Sequence, residues 1–363
     1  MGDSPLSNGG PLSIRSKFGS YAVVASAELG LALTASTLGG KTWIVIDEAV
    51  LALHRPLISA CVPPERIVAL AATEESKSFE RLTPAFLSLL DSGFRRDCTL
   101  LAIGGGVIQD ISAFIAAVLM RGVRWEFIPT TLLAQCDSCI GAKSSINIGK
   151  HKNQLGCFYP PAVIHMVEPL LATLPQEAIR SGLGEIVKFH LLSGSADWQA
   201  IQPMIPNPDK SVLGALIWKS LDIKRPYIEE DEFDKGIRNL LNYGHTFGHA
   251  YESVTGFSIP HGIAVSLGIA TATYISEHMG LVEAGHFNDV NSVLKKLYHP
   301  FEKLLAGTDV RSITRAMRTD KKNVHGKTYV ILTHGPGRME KVSVDLEALE
   351  PMLTDLIAHV LQT

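Results

Sequence analysis

The chain is 363 residues long, with a formal net charge of −3, 46% hydrophobic residues and 19% charged residues. That length suggests about two domains, and the composition is that of a globular chain and excludes a disordered one. The near-balanced charge excludes a bulk basic footprint for nucleic acid or a membrane surface, so an anionic small molecule would need a local cluster of cations.

Residues 1–12 are rich in Ser, Gly and Pro and lack the basic start and apolar stretch of a signal peptide, so a frayed tail is expected there. Beyond them, short β-branched runs alternate with helical patterns. Trp43-Ile44-Val45-Ile46-Asp47 reads as a buried strand ending in an acid, 66–70 and 99–103 read the same way, and an amphipathic stretch lies at 79–90. This alternation predicts an α/β, Rossmann-like domain: a parallel sheet with helices on both faces and a site beyond the carboxyl ends of its strands. The apolar stretch 113–120 is too short to span a bilayer and ends at Arg121, and no other segment reads as a transmembrane helix.

Five cysteines, an odd number, argue against a disulfide scaffold and for a reducing, cytoplasmic compartment. Cys136 and Cys139 form a C-x-x-C pair, which invites a redox or zinc reading, and no second such pair completes a structural zinc site. From about residue 174 helical periods dominate, at 176–192, 212–230, 239–255 and 261–280, with Pro203, Pro206 and Pro208 punctuating a loop. The boundary is placed at 173–176, which divides the chain into an α/β nucleotide-binding domain, 1–174, and a mostly α-helical metal- and substrate-binding domain, 175–363.

Three groups of residues carry chemistry. Gly104-Gly105-Gly106 follows one predicted strand and precedes a helical run. Glycines there let a phosphate approach the backbone at a helix N-terminus, with Asp47 available to a ribose hydroxyl; a tight strand–helix turn is the alternative. His245 and His249 lie four apart on a helical pattern, His261 follows, and Glu185 lies on an earlier helix. Such a set can hold a catalytic divalent metal, or consist of ordinary surface and core residues; H-x-x-x-H lacks the Glu of a metalloprotease motif. Arg121, Lys143, Lys152, Lys188, Lys224 and Arg238 mostly lie outside mixed-charge runs. If they converge they would bind a phosphate or carboxylate, and if they do not they are solvated side chains.

Taken together, several segments resemble the 3-dehydroquinate synthase family of sugar-phosphate cyclases. They are Gly104-Gly105-Gly106-Val107-Ile108-Gln109-Asp110, Pro129-Thr130-Thr131-Leu132-Leu133-Ala134-Gln135, Lys152-Asn153-Gln154-Leu155-Gly156, Gly182-Leu183-Gly184-Glu185-Ile186-Val187-Lys188, Leu241-Asn242-Tyr243-Gly244-His245-Thr246-Phe247-Gly248-His249 and Asp320-Lys321-Lys322. The resemblance implies bound NAD, one divalent metal, zinc or cobalt, and a homodimer. It puts the metal on Glu185, His245 and His261, and turns His249 toward substrate. NAD contacts fall on Asp47, Glu74, Lys77, Gly105, Gly106, Val107, Asp110, Thr130, Thr131 and Lys152. Substrate and catalytic contacts fall on Asp137, Arg121, Lys143, Asn153, Lys188, Lys224, Arg238, Asn242 and His249, and on Lys321 or Lys322. The implied reaction oxidises a secondary hydroxyl of 3-deoxy-D-arabino-heptulosonate 7-phosphate, eliminates phosphate, returns the hydride, opens the ring and closes a carbocycle by an aldol step. The product would be the 3-dehydroquinate of the shikimate pathway, with NAD recycled.

The chain departs from the family's usual text at Gln109, at Ala142 in place of Gly, at Ser144-Ser145, at His151 and at Ile263 in place of Glu. These departures bear on the substrate, whereas Arg238, Asn242 and His249 keep the form expected for a carboxylated one. A cyclase for 2-deoxy-scyllo-inosose, amino-dehydroquinate or sedoheptulose 7-phosphate is the alternative within the fold. A polyol dehydrogenase sharing this architecture, which would release NADH, or a catalytically dead paralogue acting as a binding module, is the alternative from a different class.

Overall fold

In the computed structural model the described residues are 10–149, 151–206, 208, 210–305, 307–318 and 327–362. The chain divides into two units, Met1–Leu174 and Pro175–Thr363.

The first unit is built on runs of apolar β-branched residues that can be buried on both faces. Its elements are β1 (Leu12–Ile14), β2 (Tyr21–Ala25), α1 (Leu29–Thr37), β3 (Thr42–Asp47), α2 (Glu48–Cys61), β4 (Ile67–Leu70), α3 (Phe79–Asp91), β5 (Thr99–Gly104), α4 (Gly106–Val118), β6 (Arg124–Pro129), β7 (Lys143–Ile148), β8 (His151–Phe158) and β9 (Val163–Met166). Seven strands form one sheet in the order β1-β2-β9-β6-β5-β3-β4, parallel except for β1 at its edge. Ile44, Ile46, Leu101, Ile103 and Ile128 pack from this sheet against Leu29, Leu33, Leu51 and Ile58 of α1 and α2. Asp47 ends β3 and its Oδ1 accepts from Ala49 N at 2.9 Å, capping α2. The β7–β8 ribbon, a separate antiparallel pair, was not expected from the sequence.

The second unit contains α5 (Gln176–Ser193), α6 (Ser195–Ile201), α7 (Lys210–Glu230), α8 (His245–Val254), α9 (His261–His278), α10 (His286–Tyr298), α11 (Val310–Arg318), β10 (Thr328–Thr333), β11 (Met339–Val344) and α12 (Leu346–Gln362). The helix expected over 239–255 is two pieces. A 3₁₀ segment, Ile237–Asn242, ends at Tyr243, Gly244 adopts φ +79°, and His245 becomes the first residue of α8. Only glycine takes that conformation without steric cost.

Helices α5, α8 and α9 meet backbone to backbone. A Cβ on Gly184 would sit 2.0 Å from the Gly262 carbonyl oxygen, and one on Gly268 1.9 Å from that of Gly244. Any side chain at these positions would hold the helices apart. Among the described residues no helix is long and apolar enough to cross a membrane.

Candidate functional site

Each unit assembles its own cluster. In the first, the turn from β5 into α4 is tightly packed: a Cβ on Gly105 would meet Thr131 Cγ2 at 2.8 Å. Thr130 N donates to Gly104 O at 2.9 Å, tying the ends of β5 and β6. Gly105 is the N-cap of α4 and Gly106 and Val107 open it, so the first-turn amides and the helix dipole favour an anion at that end.

One turn into α4, Asp110 meets Lys77. The buried Lys77 ammonium is 2.7 Å from Asp110 Oδ2 and 3.8 Å from Glu74 Oε2, and donates to Asn153 Oδ1 at 3.1 Å. Burial pushes the Asp110 carboxyl above its ordinary value, against the pull of Lys77. Ser145 Oγ donates to the same Asn153 oxygen at 2.8 Å, Asn153 N donates to Asn147 Oδ1 at 2.8 Å, and Asn147 Nδ2 donates to Glu74 Oε1 at 2.8 Å. The network joins the β7–β8 ribbon to the 74–77 turn. It also holds Asn153 at φ +54°, a conformation that Asn tolerates better than most residues. Lys143 opens β7 and is exposed, and Lys152 in β8 is half-buried.

Asp137 lies in a π-helical turn, Ala134–Ser138, a form of helix often found at functional sites. Gln109 clamps this turn from α4: its Nε2 donates to Ser138 O at 2.6 Å and its Oε1 accepts from Ser138 Oγ at 2.6 Å. Gln135 Nε2 holds the other side, donating to Pro129 O at 3.0 Å and Val167 O at 3.1 Å. Cys136 and Cys139 are buried free thiols, and Cys157 is a half-buried free thiol whose pKa burial raises. Cys136 and Cys139 lack the exposure of a reactive cysteine, and Cys157 lacks its lowered pKa.

In the second unit the close helix crossing gathers a donor set. Glu185 follows Gly184, His245 follows Gly244 and His261 precedes Gly262, so each lies next to a glycine that lets the helices touch. Glu185 Oε1 is 3.3 Å from His261 Nε2 and 3.6 Å from His245 Nε2. The ligand atoms of these residues all lie within 4.8 Å of one another. A tetrahedral zinc with bonds of about 2.0–2.1 Å keeps its donors about 3.3 Å apart, so one carboxylate and two imidazoles fit a divalent cation. A second grouping, His249, Glu252 and His261, shares the last histidine.

The charges around this set are strongly coupled. Lys188 is buried with its Nζ 2.5 Å from Glu185 Oε2. Burial alone would raise the Glu185 carboxyl, but Lys188 and His261 outweigh it and hold it far below the ordinary range. Burial would lower the His261 pKa, but hydrogen bonds and charge from Glu185 and Glu252 push it up to about 10. Arg238 is buried, its backbone N donates to Asp231 Oδ2 at 3.1 Å, and its Nη1 donates to the Glu232 carbonyl. Lys224 is buried on α7, Asn242 Nδ2 donates to Asn239 O at 3.0 Å, and the His249 ring lies 5.6 Å from that of His245.

Of the expected residues, Glu74, Lys77, Asp110 and Asn153 are brought together in the first unit, and Glu185, Lys188, His245, His249 and His261 in the second. Lys321 and Lys322 lie outside the described residues. Sequence reasoning missed Asn147, the clamp made by Gln109, and Glu252. Glu252 is seven residues after His245 on α8, and that spacing puts it on the same helix face.

The model described as 3-dehydroquinate synthase N-terminal matches residues 67–181, and the one described as 3-dehydroquinate synthase C-terminal matches 182–323. A 3-dehydroquinate synthase of Xylella fastidiosa (strain M12) is 34% identical over 340 residues, covering 88% of this chain and 91% of the relative. Among solved structures, a 2-deoxy-scyllo-inosose synthase complexed with carbaglucose-6-phosphate, NAD+ and Co2+ shares the fold, with a TM-score of 0.84 at 20% identity over 96% of this chain and 99% of that one. A 2-epi-5-epi-valiolone synthase from Streptomyces hygroscopicus with NAD+ and Zn2+ bound has a TM-score of 0.81 at 25% identity, over 95% of this chain and 98% of that one.

Proposed function

The chain belongs to the 3-dehydroquinate synthase family, and from that premise we propose that it is an NAD- and metal-dependent sugar-phosphate cyclase, a carbon–oxygen lyase that turns 3-deoxy-D-arabino-heptulosonate 7-phosphate into 3-dehydroquinate and phosphate. The observation that carries the reading is the Glu185–His245–His261 donor set at single-cation spacing beside the buried Lys188.

When bound, NAD supplies a reversible hydride acceptor and the divalent metal a Lewis acid. The residues of this chain do the rest. The α4 N-terminus at Gly105, Gly106 and Val107 receives the dinucleotide phosphates. Asp47, Glu74, Lys77, Asp110, Thr130, Thr131 and Lys152 frame the remainder of that ligand. Lys188, confined by Glu185, stabilises the negative charge that builds on the substrate when its α-proton leaves. Lys143 and Asn153 hold the phosphate, with Arg121 of the partner subunit. Asp137 orients Lys143 or the reacting hydroxyl. Lys224, Arg238, Asn242 and His249 hold the carboxylate and hydroxyls, and Lys321 or Lys322 adds a further cation. The departing phosphate takes the proton itself, so no protein base is required at that step.

A homodimer and a cytoplasmic location belong to the same proposal. The dimer is carried over from the family, in which the position of Arg121 reaches the partner subunit's site; Met120 and Arg121 hold φ of 51° and 65°, a conformation that non-glycine residues rarely keep without a functional reason. The compartment is supported by five free thiols.

The test is release of inorganic phosphate by the protein with NAD and zinc or cobalt. The expected outcome is release from 3-deoxy-D-arabino-heptulosonate 7-phosphate, with dehydroquinate formed, no net NADH, and loss of turnover in Arg238→Ala. A second reading, a cyclase for sedoheptulose 7-phosphate, is favoured by the His151-Lys152-Asn153 text. Release from that substrate alone would establish it. Stoichiometric NADH would instead indicate a polyol dehydrogenase.

A further inference from the structure

His261 stands between two carboxylates. Its Nε2 is 3.3 Å from Glu185 Oε1, and on the other side of the ring its Nδ1 is 3.3 Å from Glu252 Oε1. His245 has the same arrangement with a weaker acceptor, its Nδ1 lying 3.3 Å from Tyr243 O. Both rings therefore direct Nε2 toward Glu185 and Nδ1 toward a hydrogen-bond acceptor.

We infer that Glu252 is a positioning residue for the metal site: it accepts a hydrogen bond from His261 Nδ1–H and so fixes Nε2 as the atom offered to the cation beside Glu185. This rests on the metal reading proposed above. A carboxylate behind a ligating imidazole fixes its tautomer, orients the ring and raises its basicity. Ile263, two residues after His261, is apolar and fully buried and offers the ring no acceptor. Glu252 reaches His261 from one helix away because the glycine crossing lets α8 and α9 approach: a Cβ on Gly248 would lie 2.9 Å from Ala264 O. Glu252 is no ligand of the same cation, since its oxygen lies at Nδ1 and the ring's two nitrogens point apart.

The experiment uses the full chain and zinc as the probe, with affinity read by competition against a chromophoric chelator and with the visible spectrum of the cobalt-loaded protein. Glu252→Ala is expected to weaken zinc binding roughly 10- to 100-fold and to shift the cobalt bands, which a purely structural defect would leave in place. Glu252→Gln keeps an acceptor and the shape of the side chain, so it folds as the parent does and recovers most of the affinity. Zinc affinity within twofold of the parent in both variants overturns the inference. So does retention of zinc by Glu185→Ala together with its loss from His249→Ala and Glu252→Ala, which would make Glu252 a direct ligand of the other grouping. Failure of the unmodified protein to bind zinc at all would instead sink the metal reading, and this role with it.

Discussion

Gly262 lies so close to Ser181 that a Cβ on it would sit 1.8 Å from the Ser181 carbonyl oxygen. The neighbouring Gly262 N donates to Ser181 Oγ at 3.0 Å, so the contact is bonded as well as tight. Because His261 precedes this glycine and Glu185 lies one turn beyond Ser181, the contact sets the distance between two proposed ligands.

Gly262→Ala must therefore push α9 away from α5. Overpacking of this kind costs about 1–3 kcal/mol or more, and zinc affinity should fall with stability. Thermal melting and chelator competition on the same variant read both effects. An unchanged melt with unchanged zinc binding would refute the close-crossing account.

Ala142 holds φ +61° although it carries a side chain. The left-handed conformation costs a residue with a Cβ roughly 1–2 kcal/mol, and glycine's extra freedom in the unfolded chain costs about 0.4–1 kcal/mol. The first effect is the larger, so Ala142→Gly should be neutral or stabilise by up to about 1 kcal/mol. Its carbonyl still accepts from Tyr159 N at 2.8 Å. Denaturant unfolding checks the sign, and a clear destabilisation would count against it.

Gln109 and Ser138 are buried or half-buried partners joined by two hydrogen bonds of 2.6 Å. Gln109→Ala leaves the Ser138 groups without that partner, at about 1–3 kcal/mol for each one left unsatisfied. Combined with Ser138→Ala, the losses should fall short of their sum by roughly 0.5 kcal/mol or more. Strictly additive losses in a double-mutant cycle would show that the clamp on the Asp137 turn carries no energy.

Glu126 is a buried carboxylate outside the proposed chemistry, bonded to Ser36 Oγ at 2.8 Å and to Arg124 Nη2 at 2.7 Å, with His165 Nε2 at 3.1 Å. Burial raises its pKa, but these partners together outweigh burial and set it below the ordinary 4.5. A depressed carboxyl contributes stability that is present above its unfolded value and is lost as pH falls through its folded value. Glu126→Gln should accordingly flatten the fall in stability below pH 4.5. A variant whose acid unfolding curve matches the parent's would contradict this.

Much of the chemistry is written locally. A run such as Trp43-Ile44-Val45-Ile46-Asp47 announces a buried parallel strand because both faces of such a strand are apolar. Gly104-Gly105-Gly106 announces a tight strand–helix turn because few other residues fit it. The sequence by itself thus determined the α/β and helical halves and the tight β5–α4 turn, and through resemblance to a family it singled out Glu185, His245 and His261 as candidate metal donors.

It could not show which atoms meet across elements far apart in the chain. Period-based reading ran one helix through Gly244, because periodicity does not register a single left-handed residue. It passed over Glu252, which has an ordinary helical position until α9 sets His261 Nδ1 3.3 Å away. It treated Gln109 as an oddity, because its partner Ser138 lies 29 positions on. Only the tertiary structure decided these pairings, since hydrogen bonds and metal donor sets act over about 3 Å, and which groups come that close is set by how tightly whole helices pack.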